Sequence, residues 1–568
     1  MAVADALVSF FNEPRNVVVV ALCVAITAMI HQRQKSKRGL PLPPGPPGHW
    51  LLGNTLPNAF AYRKFEEWTK EYGPIFTIRQ GFSTTVVIGR MQAAMDIMEK
   101  EGAATVDRPV SIAAGDTLSG GMRVLLTPAG ERFKKMRRYV RLTMSATVPF
   151  FLPSSVTTSG PSFQYTTFRC RRARTATVYS PRAMPLVHAA RAIDLDAALH
   201  AHLQPKAVTS YHPVMMKYAR QHIIDLIEDP SQHQEHAKRY SASVVMALAY
   251  GKDPKSHNDP DIVAVNECLT RLGNNLRPGL WKVDVFPFLK YIPGYLDELK
   301  EGHAQELGLF KTQLLQVKQA MERGEEVRDS FGKYLLGRQA ELELSDDETA
   351  YLAGSMFGAG SDTTASAISV SVMAAACYPE TQKRVQEELD RVIGNQRAPT
   401  VADQNDLPQA MAFVLETLRW RPVTAGGFAH KTTKDLIWKD YVIPKGTTVM
   451  GNVWAVGRDP EYFPDPESFN PQRWLTGDGK LKEDMKSFPF GFGRRVCPGQ
   501  HMAVSSIFLN TVLTQWAFNI KADPTAPIDP LAFTESANAH PVPFKVILEP
   551  RAASSIEGVR ELIEDYGL

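Results

Sequence analysis

Hydrophobic and polar positions along this chain change their spacing from segment to segment, and each spacing predicts a kind of element. Between Leu51 and Met98 the runs Ile75-Phe-Thr-Ile-Arg79 and Thr85-Val-Val-Ile88 are short and β-branched, as strands are, while Phe60 to Tyr72 and Met91 to Lys100 repeat at helical spacing. From Tyr211 to Lys318 the pattern is helical, broken by prolines around Trp281 to Phe288 and at Ile292-Pro-Gly294. Ser345-Asp-Asp-Glu348 is a capping box, and the apolar run behind it continues to Cys377, where Tyr378-Pro379 stops it. At 1.5 Å per residue this helix is about 50 Å long, enough to cross a domain. An amphipathic helix follows from Pro379 to Ile393, closed by Gly394, and another starts near Pro408. A strand pair around Tyr441 to Met450, turning at Pro444-Lys-Gly446, and a buried helix over Gln500 to Phe518 complete a mainly α chain with a smaller β-rich part.

Two stretches fit neither pattern. Val17 to Ile30 is an uninterrupted run without charge, though its fourteen residues fall short of the roughly 17–25 of a spanning helix unless Asn16 and Ala4 to Phe11 extend it. Arg33, Lys35, Lys37 and Arg38 follow it, which places the side after the run in the cytoplasm. Residues 1–38 are therefore read as an uncleaved anchor in the endoplasmic reticulum membrane, with a monotopic helix or a removed signal peptide as alternatives. The proline-rich segment 39–48 is an extended spacer, 49–550 the catalytic body and 551–568 a tail. The second stretch, Arg132 to Ile193, contains no Asp or Glu and is dominated by Ser, Thr, Arg and Pro without periodicity. Helical spacing resumes at Ala197 to Lys206 and would join smoothly onto Met136-Arg-Arg138. Residues 139–196 thus read as an insertion, most simply an unspliced intron, the alternative being a disordered basic loop.

Composition narrows the function classes. With 44% hydrophobic and 22% charged residues among 568, and a net charge of +4, the balance is ordinary for a globular protein and makes no case for nucleic acid. Cysteines at 23, 170, 268, 377 and 497 show no paired spacing, which excludes a disulfide framework or a zinc pattern.

One cysteine stands out by its surroundings. In Phe490-Gly-Phe-Gly-Arg-Arg-Val-Cys497-Pro-Gly499 a thiol precedes a buried helix, whose N–H groups would stabilise its anion and make it a strong ligand for a soft metal. Gly491, Gly493 and Gly499 allow tight turns and close approach of something flat, and Arg494 and Arg495 can neutralise carboxylates. The alternative is an inert buried thiol. Within the long helix, Ala359-Gly-Ser-Asp-Thr-Thr364 gives up local stability, since Gly358 and Gly360 each cost up to about 1 kcal/mol relative to alanine. An acid followed by an alcohol suits proton delivery; the plainer reading is a polar stripe. Glu416 and Arg419 share one helical face and can pair.

The order Phe-x-x-Gly-x-Arg-x-Cys-x-Gly resembles the haem-binding loop of the cytochrome P-450 family of haem-thiolate monooxygenases, and the other motifs follow in that family's order. The resemblance covers about residues 40–138 and 197–550 and implies a triangular, mainly α body with a small β-rich lobe and a buried haem b. It makes Cys497 the axial ligand, with Phe490 packed by the sulfur, Gly491 and Gly499 turning the loop, and Arg495 on a haem propionate. Arg137 and His430 become further propionate partners, although Phe133 stands where the family has a tryptophan four residues before its arginine. Thr363 would hydrogen-bond dioxygen, Asp362 would relay protons, and Ala359 and Gly360 would leave room for O2 and substrate. Val423, Phe428 and Ser536 would line the pocket, and Glu416, Arg419 and Arg473 would form a scaffold network. Electrons would come from NADPH through a flavoprotein reductase, with cytochrome b5 as a second donor, to oxidise a small apolar molecule in fungal secondary metabolism or xenobiotic oxidation. A haem-thiolate isomerase or dehydratase and an inactive haem-binding protein are the rival readings.

Overall fold

The structure, a computed structural model, describes residues 39–130, 209–564 and 566, apart from 51, 58, 82, 255–258, 278, 395–396 and 483–487. The anchor over 17–30, Arg137 and the insertion 139–196 lie outside the described residues. Among the described residues no helix is long and apolar enough to cross a membrane.

The predicted elements form largely where the spacing put them. Helix α1 (Ala61–Tyr72) stops at Gly73, whose φ of 104° a side chain would resist. Strands β1 (Ile75–Gln80) and β2 (Ser83–Ile88) pair antiparallel, Ile75 opposite Ile88. Helix α2 (Met91–Ala94) widens into a π-helical turn over Met95–Lys100, and a second π-turn, Ile112–Leu118, interrupts the expected loop after Asp107. Beyond residue 209 come α3 (His212–Glu228), α4 (His233–Tyr250), α5 (Pro260–Asn275), α6 (Asp297–Glu322) and α7 (Phe331–Arg338).

Helix α8 (Asp346–Cys377) is the axis of the body. Ser345 accepts from the Glu348 N–H at 3.2 Å while the Glu348 carboxylate accepts from the Ser345 N–H at 3.2 Å, the expected capping box. Its glycines admit neighbours on several sides. A Cβ on Gly354 would sit 2.1 Å from Phe310 of α6, one on Gly358 3.0 Å from Leu269 of α5, and one on Gly360 2.5 Å from Val245 of α4. The helix propensity lost at these positions is offset by close packing of three helices against the axis.

Helices α9 (Pro379–Val392) and α10 (Pro408–Trp420) follow, then strands β3 (His430–Lys431), β4 (Leu436–Trp438), β5 (Tyr441–Ile443) and β6 (Thr448–Gly451), and the short α11 (Val453–Val456). Here the structure corrects the expected strand pair. Tyr441–Ile443 pairs backwards with Leu436–Trp438 across a tight turn at Lys439, where φ is 51°, and Thr448–Gly451 instead joins β2 in parallel. The nearer turn closes the hairpin at lower entropic cost, and the leftover strand buries Val449 opposite Val86. The larger sheet therefore runs β1-β2-β6-β3. Helix α12 (Gln500–Ala517) leads into β7 (Phe518–Ala522), which pairs with β8 (Val546–Pro550). The supposed tail holds α13 (Ile556–Glu564), which buries Val559 and Ile563 in the main core.

Helices α3 and α12 meet at His222, whose buried Nδ1 lies 2.7 Å from Asn510 Oδ1. Burial holds this imidazole down at about 3. An unfolded histidine titrates near about 6.5, so below that pH the unfolded chain binds a proton that the fold refuses. Stability is unaffected above this value and is lost as pH falls towards 3. His222→Asn is expected to flatten that limb of the stability curve by about 1 kcal/mol per pH unit, measured by denaturant unfolding; an unchanged limb would refute it.

Candidate active site

The loop before α12 is closed by its own backbone. The Cys497 N–H donates to the Phe490 carbonyl at 2.9 Å, and the N–H of Gly493 donates to Glu99 Oε2 at 2.6 Å. Gly493 has φ 56°, and a Cβ there would lie 2.5 Å from the Met98 carbonyl oxygen, so only glycine lets the loop seat on the π-turn of Met95–Lys100. Gly491, at φ 86°, has no atom within 4 Å of an added Cβ: this turn borders open space. Partial exposure runs through Val496, Cys497, Gly499 and on to Val504, although the rest of α12 is buried. Cys497 sits two residues before Gly499, the N-cap, where the helix N–H groups favour a thiolate.

The buried Arg495 guanidinium donates to three carbonyls, Val106 at 2.7 Å, Thr127 at 2.9 Å and Val124 at 3.5 Å. Buried His430, on β3, holds the Thr105 carbonyl at 2.7 Å through Nδ1. Two residues 65 positions apart in the chain thus reach consecutive carbonyls, Thr105 and Val106.

On α8, Ala359 is exposed in mid-helix between buried Phe357 and Ser361, so this helix also borders open space. Thr363 Oγ1 donates to the Ala359 carbonyl at 2.8 Å. The reading of Gly360 as room for substrate is corrected: the space its missing Cβ leaves is filled by Val245. Asp362 is held at both oxygens, by His540 Nε2 at 2.7 Å and Asn538 Nδ2 at 2.9 Å. Burial alone would raise this carboxyl, but the His540 and Asn538 hydrogen bonds outweigh it and keep the group below the usual carboxylate range. Neither partner was legible in the sequence, being some 176 positions away; the reading of Ser536 as a pocket residue was the one available signal.

A cavity of about 750 Å³ is lined by Phe428 and Ser536 together with Arg108, Leu126 and Trp281. Its lining includes neither Val423 nor Cys497, Ala359, Asp362 and Thr363; Val423 is buried in the main core, and its carbonyl accepts from the Ala539 N–H at 2.8 Å. Glu416, fully buried on α10, takes Arg419 through Nε at 2.8 Å and Nη2 at 2.7 Å, Arg473 Nε at 3.1 Å, the Asn470 N–H at 2.8 Å and Trp474 Nε1 at 2.9 Å.

The donor chemistry limits what this arrangement can hold. Among the described residues no group of three or more His, Cys, Asp or Glu could bind a metal ion. A single sulfur at a helix N-terminus, beside an open glycine turn and two residues from the buried Arg495 guanidinium, fits a flat, anionic group ligated through that sulfur.

Comparison with known proteins adds independent weight. A family model described as cytochrome P-450 matches residues 43–151 and 188–548. Cytochrome P-450 monooxygenase 113 of Postia placenta is 46% identical over 548 residues, covering 95% of this chain and 98% of the relative. Monooxygenase 64 of the same organism is 46% identical over 543 residues, 95% and 97% respectively. A cytochrome P-450 monooxygenase of Armillaria gallica is 32% identical over 543 residues, 92% and 93% respectively.

Proposed function

The chain belongs to the cytochrome P-450 family and is a monooxygenase, and from that premise we propose an anchored haem-thiolate enzyme that takes electrons from NADPH through a flavoprotein reductase and oxidises a small, mainly apolar molecule. The observation that carries this reading is the Cys497 loop: a half-buried thiol at the start of α12, with the backbone open at Gly491. Cys497 would supply the sulfur ligand, and Arg495 and His430, which reach neighbouring carbonyls, would meet the carboxylates of haem b, with Arg137 as a third partner. When bound, haem supplies the iron chemistry that activates O2, placing one oxygen atom in the substrate and the other in water at the cost of two electrons and two protons.

The chain's own residues handle the remainder. Asp362, kept ionised between His540 and Asn538, can accept and release a proton, and Thr363, whose hydroxyl donates to the Ala359 carbonyl at 2.8 Å, follows it along α8. The glycine-admitted neighbours of α8 exclude water from its other faces. Phe428, Leu126 and Trp281 give the cavity an apolar wall, and Arg108 and Ser536 supply polar contacts, which supports a substrate of modest size. Membrane attachment through Val17 to Ile30 in the endoplasmic reticulum, a role for cytochrome b5 and a place in fungal secondary metabolism or xenobiotic oxidation belong to the same proposal.

The segment 139–196 enters the test directly, since the two matched blocks stop at 151 and resume at 188. Membranes expressing the chain as it stands and with 139–196 deleted are compared by the reduced carbon monoxide difference spectrum and by NADPH oxidation with added reductase. The thiolate-type Soret shift is expected in the deleted form only, marking an unspliced intron. The same shift in both forms would make the segment a tolerated loop, and none in either, at good expression, would overturn the site.

A further inference from the structure

Asp362 does not end at bulk water. Its two oxygens are taken by His540 Nε2 at 2.7 Å and Asn538 Nδ2 at 2.9 Å, and both donors belong to the loop that returns between β7 and β8. That loop is stitched to the helices around it. Ser366 Oγ of α8 donates to the Ala539 carbonyl at 2.7 Å, the Ala539 N–H to the Val423 carbonyl at 2.8 Å, and Gln234 Nε2 of α4 to the Pro541 carbonyl at 3.1 Å. The His540 N–H donates to Thr534 Oγ1 at 3.0 Å. The Asp362 and His540 side chains are 20% and 21% exposed, so the pair stands at the edge of the buried region and touches water at that edge. Lys238 of α4 also bears on the carboxylate and is tied to Glu235 at 2.7 Å.

We propose that His540 is a positioning residue for the oxidation: it aims the Asp362 carboxylate and resupplies it with protons from solvent, while Asn538 locks the second oxygen. An imidazole suits this role because one nitrogen accepts a proton as the other donates one. Each proton given to Asp362 is replaced from water, the ring returns to its starting state, and no electron moves. A carboxylate held at both oxygens keeps one orientation, whereas a carboxylate reached by water alone is free to rotate.

The proposal rests on the reading of Asp362 as the proton conduit of a monooxygenase, and the experiment separates the two. The full chain and its Asp362→Asn, His540→Gln and Asn538→Ala variants are reconstituted with reductase. Turnover of 7-ethoxycoumarin, as an apolar probe, and product formed per NADPH are followed against pH. Glutamine keeps an amide donor for Asp362 but cannot pass on a proton. His540→Gln is therefore expected to depart from the wild-type pH profile and to fall about tenfold in coupled turnover, with an unchanged carbon monoxide difference spectrum. Asn538→Ala is expected to lower coupling while keeping the wild-type pH profile. Unfolding against pH gives a readout without turnover. Native Asp362 binds a proton less readily than the unfolded chain does, so the wild type loses more stability than His540→Gln as pH falls below the ordinary carboxylate range. An impaired Asp362→Asn with a wild-type profile in His540→Gln would overturn the role of His540 alone. An unimpaired Asp362→Asn would overturn that role and the reading of Asp362 together. The same departure from the wild-type pH profile in Asn538→Ala would overturn its assignment to His540.

Discussion

Replacing Cys497 by serine abolishes the thiolate-type Soret shift of the reduced carbon monoxide complex and lowers monooxygenase turnover by well over about 10²-fold. The magnitude follows from ligand chemistry: substitutions outside the ligand shell typically cost 10–100-fold, so loss of the ligand itself costs more. The other described cysteines cannot take its place. Burial pushes the Cys268 thiol up to about 11 and raises that of Cys377, so both stay protonated at neutral pH, and neither sits at the start of a helix. Cys268→Ser and Cys377→Ser are expected to leave the spectrum unchanged. A retained Soret shift in Cys497→Ser, or a lost shift in either control, would remove the basis for the site. The spectrum is the deciding measurement because it reports the ligand even when the probe substrate is a poor one.

Glu416→Ala destabilises the fold by about 3–5 kcal/mol, the usual result of removing one member of a buried charge network. Glu416 and Arg419 are both fully buried, and the change leaves the Arg419 guanidinium with no anion. Arg419 also donates to the carbonyls of Gly457 at 2.8 Å, Pro466 at 2.9 Å and Ser468 at 3.1 Å. The network therefore ties α10 to the segment that leads towards the Cys497 loop. An apolar double replacement of Glu416 and Arg419 is consequently not neutral, since those carbonyls would lose their donors. Arg473→Ala, which removes a contact at 3.1 Å from the edge of the network, costs less than Glu416→Ala. Denaturant unfolding of the haem-loaded protein ranks the three, and a loss below about 1 kcal/mol for Glu416→Ala would show that the network is not the lock it is taken to be.

How far the site could be read beforehand depended on how local its signals were. The Cys497 loop, the Asp362-Thr363 pair and the Glu416–Arg419 pair are each contained within a few residues, so local spacing singled them out and the family resemblance gave them their expected roles. Arg473 came only through the resemblance. The strand pair at Tyr441 to Met450 failed for the opposite reason: two hairpins competed, and the partner that decided between them, β2, lies more than 350 residues earlier. Gly360 was misjudged because a glycine in a helix looks the same whether it opens space or admits a neighbour, and only the position of Val245 distinguishes the two.

The sequence by itself determined many of the elements and the chemical inventory: the capping box at Ser345, the proline stop at Pro379, the thiol ahead of α12, and the acid and alcohol on α8. These follow from interactions within one turn or one loop, where chain neighbours are also neighbours in space. Tertiary structure alone decided which distant groups meet. It set His540 and Asn538 on Asp362, brought Arg495 and His430 to consecutive carbonyls, moved Val423 out of the cavity wall and folded α13 into the core. Those contacts depend on how helices and sheets pack as solid bodies, and packing is settled by the fit of whole surfaces, which no short stretch of residues encodes.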